Sequence, residues 1–147
     1  MAVVQEEAVF NHPPGEIWNV LADFGAIVQW APNVDHSCLT TTQAEGVGTV
    51  RRIQAGRNVL LEEVLEWEPE HRLSYELQGF PPVVRKVTNT WDLVERDGAT
   101  HVTLTSDVTA GPRPPHQIAA RVIARILGKA STEMLGGLQA HLAAVTA

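Results

Sequence analysis

Between Val34 and about Gly111 the sequence reads as one strand after another, and a single long helix follows. Five separators interrupt this region, and each carries Gly, Pro, Asn or Asp, the residues that supply turn geometry: 46–48, 55–58, 68–70, 79–82 and 96–98. Spacings of this length are typical of a meander of antiparallel strands. Residues 83–96 and 99–110 are expected to form the longest strand pair, joined by a tight turn at Asp97-Gly98.

Shorter elements precede the meander. Residues 2–11 alternate without a breaker and predict a first strand. Pro13 and Pro14 suit the first turn of a helix that runs to about Ala22. Asp23 can cap a second short helix, which we expect to run from Phe24 to about Trp30.

The last part of the chain predicts a helix from His116 to about Val145, after a proline-rich break at 111–115. Its apolar residues step by four: Ile118, Val122, Ile126, Ala130, Met134 and Leu138. This stripe is expected to cover the apolar face of the sheet, and Gly136-Gly137 should weaken the helix locally. We therefore expect one α+β domain over 1–147, with about seven antiparallel strands curved around the terminal helix.

Composition excludes several classes of partner. The formal charge of the 147 residues is −6, whereas nucleic-acid binding needs clustered Lys and Arg. The single cysteine, Cys38, cannot form an intramolecular disulfide. No apolar run approaches the roughly 20 residues of a membrane span, and the first residues lack the features of a signal peptide. We expect a cytoplasmic protein without integral membrane association.

Four segments together resemble the SRPBCC superfamily, which includes START-related lipid-transfer domains and bacterial polyketide cyclase/dehydrase-like proteins. They are residues 12–24 (HPPGEIWNVLADF), 30–32 (WAP), 46–51 (GVGTVR) and 62–75 (EEVLEWEPEHRLSY). Within this superfamily, the chain resembles the bacterial polyketide cyclase/dehydrase-like branch. The resemblance implies a helix-grip fold, in which a cavity lies between the curved sheet and the terminal helix.

The resemblance also implies where a ligand would bind. By likeness to the plant abscisic-acid receptors, Thr105 is expected to face the cavity, and Arg51 and Glu62 to point inward. His101, Thr103 and Asp107 share the strand face of Thr105. Two interpretations of Arg51 and Glu62 remain open. They either hold a carboxylate or hydroxyl at the closed end of the pocket, or form a cross-strand pair on an exposed face.

Other candidates complete the expected pocket. Trp30 would contact an apolar ligand near the mouth, and Tyr75 and Met134 are further ligand-binding candidates. Phe80 lies on a proline-stiffened loop that could cover the cavity. The six histidines show no metal-ligand spacing, so neither a metal nor another cofactor is expected.

Three functions follow from these observations. The first is binding or transport of a small hydrophobic ligand, such as a lipid, polyketide or terpenoid, by a monomer or homodimer. The second is a polyketide cyclase/dehydratase-type enzyme, with Arg51 as the anchor and Glu62, Asp107 or His101 as the proton carrier. The third is a regulatory or dimerising module without a ligand, which an exposed apolar face on the terminal helix would favour.

Overall fold

Seven antiparallel strands form a single sheet in the computed structural model, which describes residues 2–146. The strands are β1 (Ala2–Phe10), β2 (His36–Leu39), β3 (Val50–Ala55), β4 (Asn58–Glu68), β5 (Arg72–Gln78), β6 (Val84–Arg96) and β7 (Ala99–Ala110). Their order across the sheet is β1-β7-β6-β5-β4-β3-β2. Strands β2 to β7 therefore form the expected meander, and β1 pairs with the last strand.

Three helical segments accompany the sheet. Helix α1 spans Pro14–Ala22, a 3₁₀ helix spans Phe24–Gln29, and helix α2 spans Pro114–Thr146. The second short helix is 3₁₀ and kinked at Ala26, and the Asp23 side chain does not cap it, which corrects the sequence expectation. The order of elements and the α+β helix-grip class are confirmed.

Helix α2 packs mainly on β1 and β7, at one side of the sheet. Gly128 allows this close approach, because a Cβ there would lie 2.9 Å from Cγ2 of Val4. The inner faces of β3, β4 and β5 are left to line a cavity beside the helix. Within residues 2–146, no helix has both the length and the apolar character that crossing a membrane requires.

The predicted apolar stripe of α2 is wrong in its first half. Ile118, Val122 and Ile126 are 59%, 51% and 63% exposed, whereas Met134 and Leu138 are buried. A helix has 3.6 residues per turn, so a row of four-residue steps drifts by about 40° per step. Over five steps the drift is about 200°, which turns the first residues of the row away from the sheet.

Gly137 allows the Trp30–Pro32 segment to pack against α2. A Cβ at Gly137 would collide with the backbone carbonyl oxygen of Trp30 and with Cδ of Pro32. A Cβ at the adjacent Gly136 would meet nothing within 4 Å. The two neighbouring glycines therefore have different roles, and only Gly137 is required by packing.

We predict opposite effects of alanine at these two positions. Gly136→Ala should raise the free energy of unfolding by about 0.5–1 kcal/mol, because alanine is the better helix former. Gly137→Ala should lower it by about 1–3 kcal/mol, because the methyl group displaces backbone that cannot move freely. Urea denaturation measures both changes, and each variant is the control for the other. Equal effects of the two substitutions would contradict the close packing of this segment on α2.

Candidate ligand-binding cavity

A cavity of about 470 Å³ lies between the flank of α2 and the inner faces of β3, β4 and β5. Most of its wall is apolar and comes from Ile27, Val34, Ile53, Leu60, Leu77, Leu127 and Met134. Its rim carries Arg57, Asn58, Val59, Phe80, Pro81 and Ile126. Both the size and the apolar lining are typical of a small-molecule site.

Four polar residues interrupt the apolar wall: Asn33, Glu62, Asn89 and Ser131. Oδ1 of Asn89 accepts a hydrogen bond from Oγ of Ser106 at 2.6 Å. Oδ1 of Asn33 is buried, and no described residue donates a hydrogen bond to it. Buried polar atoms are nearly always paired, so this oxygen is an acceptor that the described residues leave unused.

Asn33, Asn89 and Ser131 were not predicted from the sequence as cavity residues. Asn89 had a usable signal, because it stands between Val87 and Trp91 on the inward face of β6, where an apolar residue is the norm. Asn33 lies in the irregular segment after Trp30, where no periodicity assigns a side chain to a face.

Arg51 and Glu62 form a buried ion pair next to the cavity. They lie directly opposite each other on β3 and β4, and each is 2% exposed. Nε of Arg51 donates to Oε1 of Glu62 at 2.8 Å, and Nη2 lies 2.7 Å from the same oxygen. The expected inward orientation of both residues is confirmed, and the alternative of an exposed cross-strand pair is wrong.

The rest of the Arg51 guanidinium is held by its surroundings. Nη1 donates to the carbonyl oxygen of Phe24 at 3.0 Å. The guanidinium carbon lies 3.7 Å from the Phe24 ring centre and 4.7 Å from that of Tyr75, a cation–π arrangement. Arg51 therefore stands behind the cavity wall, and Glu62 is the member of the pair that lines the cavity.

Burial dominates the electrostatics of this site. It raises the pKa of the Glu62 carboxyl above its usual value of 4.5, and the charge and hydrogen bond of Arg51 offset part of the rise. Burial and the Glu62 charge also raise the pKa of the Tyr75 hydroxyl above 10.0, so that group stays protonated at neutral pH. A carboxyl group with a raised pKa can transfer protons closer to neutrality than an exposed one.

Four residues of β7 expected near the ligand lie on the outer face of the sheet: His101, Thr103, Thr105 and Asp107. They alternate with the fully buried Val102, Leu104, Ser106 and Val108. Thr105 accepts a hydrogen bond from the exposed Gln5 on β1, at 3.2 Å. The expectation that Thr105 faces the cavity is wrong, because its strand turns the apolar set inward.

The remaining candidates divide between cavity and core. Met134 lines the cavity wall and Phe80 lies at its rim, on the loop between β5 and β6. Trp30 is buried against Trp91, with ring centres 5.8 Å apart, rather than at the mouth. Tyr75 packs against Phe24 and accepts a hydrogen bond from Nε1 of Trp91 at 3.2 Å. Trp30 and Tyr75 thus support the cavity from behind its wall.

Across residues 2–146, no three His, Cys, Asp or Glu side chains come together as a set that could hold a metal ion. The polar side chains of the cavity wall are one carboxylate, two amides and one hydroxyl, and the rim adds Arg57 and Asn58. This arrangement can bind a polar group of an organic ligand by hydrogen bonds, and its carboxylate can exchange a proton with that ligand.

A double-mutant cycle on the buried pair should show strong coupling. Arg51→Leu and Glu62→Leu should each lower the free energy of unfolding by about 3–5 kcal/mol, because each leaves an unpaired buried charge. The double variant should lose clearly less than the sum of the two single losses. Urea denaturation of the four proteins measures the coupling.

The half-exposed pair Arg72 and Glu66 is the matched control, with Nε and Oε2 2.8 Å apart. The same leucine substitutions there should show coupling below about 1 kcal/mol. A coupling at Arg51 and Glu62 that is no larger than at this surface pair would contradict the buried ion pair.

Solved structures share this fold at low sequence identity. A Thermobifida fusca protein solved by NMR is 23% identical, with a TM-score of 0.80 over 97% of this chain and 93% of that one. A Thermus thermophilus protein is 18% identical, with a TM-score of 0.77 over 99% and 100%. The Zhui aromatase/cyclase from Streptomyces sp. R1128 is 17% identical, with a TM-score of 0.75 over 96% and 93%.

The sequence itself matches a family over almost its whole length. No curated protein matches the chain. The model of the family described as "Polyketide cyclase / dehydrase and lipid transport" matches residues 1–143. The superfamily expected from the four sequence segments is therefore confirmed, and the chain belongs to the polyketide cyclase/dehydrase and lipid transport family.

Proposed function

We propose that this protein binds a small hydrophobic molecule whose inner end carries a hydrogen-bond donor, such as a hydroxyl group. The observation that carries the proposal is an apolar cavity with two acceptors at its wall, Glu62 and Asn33. Both contacts from Arg51 go to Oε1 of Glu62, and Glu62 itself lines the cavity. A ligand hydroxyl could satisfy either acceptor.

A ligand carboxylate suits the same position poorly. Arg51 is not among the residues that line the cavity, and its Nε, Nη1 and Nη2 atoms contact Glu62 and the Phe24 carbonyl oxygen. A second carboxylate beside Glu62 would add like charge in a buried place, which is costly. A neutral hydroxylated lipid, terpenoid or polyketide therefore matches the cavity better than a fatty acid.

The apolar wall supplies most of the binding energy in this proposal. Each buried methylene group of a ligand contributes about 0.8 kcal/mol. A cavity of about 470 Å³ holds a molecule of drug-like size. The lipid transport named in the family description is consistent with such a ligand.

A matched alcohol and carboxylic acid of the same chain length test the polarity of the site. At neutral pH the alcohol should bind with one-to-one stoichiometry and at least about tenfold more tightly than the carboxylate, as measured by calorimetry. Asn33→Leu should weaken alcohol binding severalfold, because it removes an acceptor and leaves the ion pair intact.

Asn19→Leu is the control, because Asn19 is exposed on α1 and does not line the cavity. Its alcohol affinity should equal that of the parent protein. Tighter binding of the carboxylate would overturn the donor preference. Failure of both probes to bind the folded protein would overturn the binding function itself.

An enzyme of the cyclase/dehydratase type is the second candidate. Its specific support is that Glu62 lines the cavity with a raised pKa, as a proton carrier requires. His101 and Asp107 lie on the outer face, so Glu62 is the proton carrier that this candidate function retains. Turnover of a model poly-ketone that disappears in Glu62→Gln, while ligand binding persists, would establish the enzyme.

A regulatory or dimerising module is the third candidate. The exposed residues Ile118, Val122 and Ile126 on α2 are the observation that favours it. Their charge environment decides which partner they suit.

A further inference from the structure

One face of α2 is apolar although it points away from the sheet. Ile118, Val122 and Ile126 occupy successive turns and are more than half exposed. Residues three and four apart are neighbours on a helix surface, so these three side chains form a continuous row about three turns long. Exposed apolar rows of this kind mark interaction sites more often than single exposed residues do.

Basic side chains flank this row. Arg121, Arg125 and Lys129 are exposed and lie beside the apolar residues on the same turns. No Asp or Glu occurs between Asp107 and Glu133, although the whole chain has a net charge of −6. We call this surface the docking face and define it by Ile118, Arg121, Val122, Arg125, Ile126 and Lys129.

The docking face is continuous with the cavity mouth. Ile126 belongs both to the docking face and to the rim of the cavity. Phe80, Pro81 and the basic Arg57 lie at the same rim. A hydrophobic molecule leaving the cavity would therefore pass directly onto whatever covers the docking face.

A second copy of this chain is a poor occupant. A twofold interface places the same patch on both subunits, so Arg121, Arg125 and Lys129 would face a second set of like charges. An anionic lipid surface offers negative headgroups for the basic residues and an acyl boundary for the apolar row. An amphipathic helix with basic residues beside its apolar row, such as α2, is suited to bind an anionic lipid surface.

We propose that the docking face binds the surface of an anionic membrane, with α2 lying along it and the cavity mouth opening toward the lipid. The proposal stands on the exposed apolar row and its basic flank, and it is independent of which molecule occupies the cavity.

Co-sedimentation with lipid vesicles tests this proposal. The full chain should bind vesicles made of equal parts of phosphatidylserine and phosphatidylcholine. It should bind vesicles of phosphatidylcholine alone much less, and raised salt should release it from the anionic vesicles. Each basic side chain near the surface contributes about fivefold, so Arg121→Gln/Arg125→Gln/Lys129→Gln should weaken binding on the order of a hundredfold. Ile118→Gln/Val122→Gln should weaken it at least about tenfold.

The control is Val94→Gln/Arg96→Gln, an exposed apolar and basic pair near the hairpin between β6 and β7, at the opposite end of the sheet. Its vesicle binding should equal that of the parent, and all variants should melt like the parent because the substituted side chains are exposed. Vesicle binding that is absent, equal on neutral lipid, or unchanged in the docking-face variants would overturn the proposal. So would a dimer, measured by sedimentation equilibrium, that the same variants abolish.

Discussion

The ion pair between Arg51 and Glu62 is the interaction on which the interior depends. Two opposite charges lie in an apolar core, 2.7 Å apart, and each would be costly without the other. Arg51 also binds the carbonyl oxygen of Phe24 and stacks between two aromatic rings, so it joins β3, β4, β5 and the 3₁₀ helix. Arg51 therefore stabilises the fold, and the carboxylate of its partner Glu62 lines the cavity.

The cavity and its mouth follow from this arrangement and from the position of α2. The helix covers β1 and β7 and leaves the inner faces of β3 to β5 as the cavity wall. We propose that the acceptors at the wall favour a ligand with a hydrogen-bond donor, and the docking face of α2 reaches the cavity rim at Ile126. In these proposals, hydrogen-bond acceptors inside the cavity bind the ligand, whereas basic side chains on the docking face bind the lipid surface.

The sequence predicted the architecture because strand breakers and helical periodicity are local signals. The meander, the long hairpin of β6 and β7, and α2 all occur where expected. It was harder to predict which side chains of a strand face the cavity. The resemblance suggested that Thr105 faces inward, yet the alternation of Val102, Leu104 and Val108 on the same strand argued the reverse, and it was the better guide. The buried position of Trp30 depends on a tertiary contact with Gly137, which no local sequence pattern reveals.

The most direct test of this account is an NMR titration of protein labelled with ¹³C and ¹⁵N, with a long-chain alcohol as the ligand. The account predicts that the side-chain carboxyl carbon of Glu62 and the side-chain amide of Asn33 shift together and saturate at one equivalent. The Arg51 Nε resonance should stay nearly constant, because its partner is Glu62 in both states. Saturable binding that leaves Glu62 and Asn33 unperturbed would contradict the claim that these acceptors receive the ligand.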